Sequence, residues 1–147
     1  IALLAGDPYK AELAFQDALA HSLPANRKQI LFRLAAVYAM QQRFDEAFVE
    51  LRASEEAGYP IERDVRLLPV LAEYLDAPAF YPEALDYALQ VLDAFPKHEE
   101  VLVSAAILYA RSGQITTSNL LMDMLAEKNP EWASMARQRY GALLPAD

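Results

Sequence analysis

Four short stretches recur along this chain and constrain its fold more than any other feature. They read Gly6-Asp7-Pro8-Tyr9-Lys10-Ala11, Gln42-Arg43-Phe44-Asp45-Glu46-Ala47, Ala79-Phe80-Tyr81-Pro82-Glu83-Ala84 and Gly113-Gln114-Ile115-Thr116-Thr117-Ser118. Each ends on a small residue, and the small residues follow one another at intervals of 36, 37 and 34. An amphipathic run follows each and stops at a proline: Pro24, Pro60, Pro96 and Pro130. A period of this size is the mark of stacked helical hairpins, in which each unit covers the apolar face of its neighbour.

The segments ahead of the turns are in phase as well. Leu31, Leu34, Ala35 and Tyr38 share their offsets with Leu68, Leu71, Ala72 and Leu75, and again with Leu102, Ala105, Ala106 and Tyr109. Offsets of three, four and seven put all four residues on one helical face. After the turn, Ala47 with Leu51, Ala84 with Ala88 and Ser118 with Met122 form the facing stripe of a second helix. Small residues there let two backbones approach closely, and larger ones fill the gaps between turns. Composition agrees. Ala and Leu are abundant, Gly occurs only four times, and 54% of residues are hydrophobic, which favours packed helices over sheet or disorder.

The pattern resembles the tetratricopeptide repeat, whose signature is a large residue, then Leu-Gly, Tyr, Ala, Phe and Pro. Residues 28–61, 65–98 and 99–132 read as three full repeats, 1–24 as a partial one and 131–144 as a closing helix, all in a single domain. The chain departs from the signature in places. Leu31, Leu68 and Leu102 stand for the usual Trp, Ala35, Ala72 and Ala106 for the Gly, and Phe15 alone keeps the Phe. The resemblance implies an all-α fold, a right-handed α-solenoid of stacked antiparallel helix pairs. Because the chain opens on Ile1 and its leading repeat lacks most of a first helix, we expect it to be part of a longer polypeptide. Its Ala-, Leu- and Arg-tinted composition resembles that of bacterial proteins.

The coarse reading places helices at 8–22, 26–41, 44–57, 62–76, 81–94, 97–112, 115–128 and 131–143. Asp45 and Thr116 suit helix starts. Gly58 and Gly113 suit helix exits that need a left-handed residue. Pro69 falls early in its helix, where a missing N–H costs little. Arg137, Gln138 and Arg139 are expected to give the closing helix a face that water accepts.

Catalytic chemistry finds little support. His21 and His98 lie far apart and match no metal-ligand spacing, so both read as surface histidines. Glu55-Glu56 and Glu99-Glu100 read as solvated pairs at helix ends, favoured there by the helix dipole. No nucleophile elbow and no glycine-rich phosphate loop occur. Tyr38 and Tyr109 repeat in phase and read as core; Trp132 reads as packing for the closing helix. The absence of cysteine removes disulfides and thiolate metal sites and is compatible with both cytoplasm and periplasm. We therefore expect no enzyme activity, no cofactor and no metal. The net charge of −8 opposes a general nucleic-acid role, and no apolar run approaches the ~20 residues of a membrane span.

What the resemblance implies about function is a concave groove lined by the first helix of each repeat. On this chain the groove positions are Gln29, Phe32, Ala36, Ala39 and Met40, then Arg66, Pro69, Glu73 and Asp76, then Glu100, Val103, Ile107 and Arg111. The basic clamp with which some members hold an acidic C-terminal tail has no counterpart at Phe32, Ala36, Pro69, Glu73, Val103 and Ile107. The expected partner is another protein, presenting an apolar peptide or an amphipathic helix to a non-enzymatic scaffold or adaptor. The alternatives are a regulatory or substrate-recruiting arm of a larger enzyme, and a self-assembly module that forms a homo-oligomer.

Overall fold

Among the described residues, three helix starts carry a side-chain cap, Asp7, His98 and Asn129, and others open on an early proline. The computed structural model describes residues 6–146. Helix α1 spans Pro8–His21 and is capped by Asp7, whose carboxylate accepts from the Tyr9 amide at 2.9 Å. Helix α2 spans Pro24–Met40, with proline at its first position, where no intrahelical N–H is required. Helix α3 covers Phe44–Glu56, α4 Leu67–Tyr74, α5 Tyr81–Ala94, α6 Glu99–Arg111, α7 Ile115–Lys128 and α8 Pro130–Tyr140. The described residues are all-helical apart from turns and connections.

Three helix exits share one geometry. After α3, Gly58 has φ +97°, its amide donates to the Glu55 carbonyl and the Tyr59 amide donates to Ser54. After α6, Gly113 has φ +88° and the same pair of bonds runs from Gly113 to Ala110 and from Gln114 to Tyr109. This is the Schellman motif, and both glycines stand where the sequence calls for left-handed residues. The third case, after α2, uses Gln42 at φ +60°, with Gln42 and Arg43 donating to Ala39 and Tyr38.

The fourth expected helix, 62–76, is corrected. A 3-10 turn at Ile61–Arg63 is followed by extended Asp64, and α4 starts only at Leu67 and ends at Tyr74. Asp64 causes the break. Its carboxylate accepts from the Arg66 amide (3.1 Å), the Arg66 guanidinium (2.8 Å) and the Tyr59 hydroxyl (2.6 Å). A short acid that binds the amide two residues ahead offers the backbone an alternative to helix. Pro69 is then the third residue of α4, inside the first turn as expected. The Tyr87 hydroxyl, carried by α5 and 1% exposed, shares its proton between the Ile61 (3.1 Å) and Asp64 (3.0 Å) carbonyls and ties the connection down. The acidic pairs also divide. Glu99 and Glu100 open α6, where the dipole favours them, but Glu55 and Glu56 close α3, at its unfavourable end. There Arg52 pairs with Glu55.

Neighbouring helices pack antiparallel. Ser54, near the end of α3, donates to the Lys28 carbonyl near the start of α2 at 2.8 Å. Lys128 at the end of α7 bonds Lys97 and Glu99 at the start of α6. Ala84 and Ser118 are fully buried and Ala47 nearly so, and the Ser118 hydroxyl reaches the Ala106 carbonyl of the facing helix at 2.6 Å. Small side chains thus sit where backbones come closest. Helices α2, α4 and α6 also pack in sequence, α2 on α4 and α4 on α6. Between them Leu34, Leu68, Leu71, Leu75 and Leu102 are almost wholly removed from water, each adding roughly 1.5–3 kcal/mol of hydrophobic stabilisation. Tyr38 and Tyr109 belong to this core.

Candidate functional site: a groove between α4, α6 and α8

Helix α8 packs on α7, and together with α4 and α6 it bounds a concave groove of about 530 Å³. Ala72, Val103, Ser104 and Ile107 form its floor, each less than 5% exposed. Pro69 stands on the α4 side. Trp132, Met135 and Tyr140 of α8, with Leu143 beyond it, make the opposite wall. Met135 is 59% exposed, a large apolar side chain offered to solvent at the groove mouth. Glu73, Glu100, Gln138 and Arg139 rim the groove and are exposed. An apolar floor with a polar rim of this size can take a few bulky apolar side chains or a small, mostly apolar ligand.

The groove positions expected from the sequence fall into three groups. Pro69, Glu73, Glu100, Val103 and Ile107 line this groove together. Arg66 and Arg111 have structural partners instead. Arg66 binds Asp64, and the Arg111 guanidinium donates to the Leu75 (2.7 Å) and Glu73 (2.9 Å) carbonyls, closing the C-terminal end of α4. The residues of α2 lie apart from it. Phe32 is 1% exposed, its ring 5.0 Å from that of Tyr59, and Ala36 and Ala39 are buried. Met40 is half-buried and Gln29 exposed; Asp76 accepts from Gln42 at 3.0 Å.

The contribution of α8 was missed by sequence reasoning, which gave that helix to capping. A signal for it exists. Trp132, Met135, Ala136, Tyr140 and Leu143 recur at helical spacing and make one apolar stripe, wider than a solvent-facing cap requires.

Elsewhere, polar clusters are closed on themselves. Burial pushes the Asp64 carboxyl up, but bonds from Arg66 and Tyr59 outweigh it and hold it below the usual carboxylate range. Burial pushes the Tyr87 hydroxyl well above the usual tyrosine range, so it stays protonated and donating. His98 caps α6, its Nδ1 accepting from the Val101 amide at 3.3 Å, and His21 bonds the Asp17 carbonyl. Among the described residues no three acidic, His or Cys side chains converge as a metal site, and no helix is long and apolar enough to cross a membrane. The chain matches no protein-family model and no curated protein.

Proposed function

We propose that this chain is a tetratricopeptide-like solenoid segment that acts without catalysis, as a scaffold or adaptor holding an apolar peptide or helix of another protein. The observation that carries this reading is the apolar groove between α4, α6 and α8, with Met135 exposed at its mouth. The antiparallel hairpins and the side-by-side packing of α2, α4 and α6 support a solenoid. The right hand of the superhelix belongs to the same proposal. A helix laid in the groove would bury Met135 and Trp132 against its own apolar face, the recognition mode in which residues spaced by three and four act as anchors.

Site-specific photo-crosslinking tests it. A photoreactive residue placed at Met135 or Glu100 in the source cells is expected to trap one discrete protein. The same residue at Leu120, exposed on α7 away from the groove, is expected to trap none. Equal crosslinking from Leu120, or no discrete product from either groove position, contradicts the reading. Met135 and Glu100 suit this purpose because neither is in the core. Changing Phe32 or Ile107 would instead test stability, since both are buried.

A further inference from the structure

The rim of the groove carries an asymmetric charge that specifies its occupant further. Glu73 stands on α4 and Glu100 at the start of α6, both exposed, and neither takes part in an ion pair among the described residues. Their neighbours differ in this respect: Glu99 is paired with Lys128, and Arg111 spends its guanidinium on backbone carbonyls. The Arg111 contact also fixes the spacing. It sets Glu73 level with the last turn of α6, whereas Glu100 lies in the first. Positions 100 and 111 are separated by about 16 Å of helix axis, and 100 and 107 by about 10 Å. Two uncompensated carboxylates therefore bracket the apolar floor of Val103 and Ile107. The cation on the rim, Arg139, belongs to the opposite wall, its guanidinium 5.5 Å from the Tyr140 ring centroid.

We infer that the occupant is a basic amphipathic helix: apolar residues facing the floor, with two Lys or Arg seven or eleven positions apart, on one face, meeting Glu100 and Glu73. Cationic side chains at those two spacings fall about 10 or 16 Å apart along one helix, matching the rise of α6 between Glu100 and the turn level with Glu73. The chain's net charge of −8 steers a basic segment toward it and repels an acidic one. This inference rests on the groove reading above and adds the sign and spacing of the partner's charges.

Three synthetic helices of about 18 residues test it, with identical leucine faces and Lys, Gln or Glu at two flanking positions. None contains tryptophan, so Trp132, the one tryptophan of the chain, reports groove occupancy by its emission. The Lys helix is expected to bind about tenfold tighter than the Gln helix at low salt and the Glu helix more weakly still, with the advantage shrinking as salt is added. In the double variant Glu73→Lys/Glu100→Lys the order reverses. A control, Glu83→Lys/Asp123→Lys, changes net charge equally at exposed positions outside the groove and keeps the original order. Equal binding of all three helices, or the same loss of preference in the control, overturns the charge inference and leaves groove binding standing. Unchanged Trp132 emission with every helix overturns the groove reading and this inference with it.

Discussion

At the scale of single residues, Asp64 shows how one side chain redirects a helical pattern. Its two oxygens receive the Arg66 amide and guanidinium and the Tyr59 hydroxyl, so the chain leaves helix where apolar spacing alone would continue it. The carboxyl is held below its ordinary value, against the opposing effect of burial. A carboxyl with a folded pKa below the unfolded one, near 3.9, stabilises the fold above that pH. The contribution is lost as pH falls from about 4 through the folded value. Asp64→Asn is therefore expected to cost about 1–3 kcal/mol at pH 7. Its deficit relative to the parent chain should narrow in urea titrations below about pH 4. A deficit constant from pH 7 to pH 3 would show that the charge plays no part.

At the scale of elements, the helix exits carry the turns that make hairpins. An added Cβ at Gly113 would meet nothing within 4 Å, so the cost of Gly113→Ala is backbone strain alone, about 1–2 kcal/mol. Gln42→Gly removes comparable strain but gives up the bonds from the Gln42 side chain to the Tyr74 carbonyl and Asp76. Its net gain should stay below about 1 kcal/mol. Urea midpoints of the two variants measure both effects, and a neutral Gly113→Ala would contradict the assigned geometry. This scale also marks what the sequence makes legible. Apolar period, prolines and the two exit glycines place eight helices, seven of them close to their observed bounds, because these signals are local. The break at Asp64 was not legible from the apolar period, since it rests on polar bonds to Arg66 and Tyr59 within the connection and on Tyr87 arriving from α5. Nor was the left-handed Gln42, a residue type with no special preference for that conformation.

At the scale of the whole molecule, the proposed function rests on which helix faces are left without a neighbour among the described residues. Of the positions expected from the repeat phase, Pro69, Glu73, Glu100, Val103 and Ile107 line one groove, because they lie beside the core stripe of their helices. The rest depended on stacking. Phe32 is covered by Tyr59 from the long connection, while α8, read as a cap, supplies Trp132, Met135 and Tyr140 as the second wall. The proposed binding surface therefore lies between α4, α6 and α8. Methyl and indole NMR of the labelled protein, titrated with the segment trapped by crosslinking or with the lysine helix, tests this most directly. The account predicts that Val103, Ile107, Met135 and Trp132 shift together and saturate with one affinity, while Val49 and Leu120 stay in place. Shifts confined to Val49 and Leu120, with the four groove signals unmoved, would contradict it.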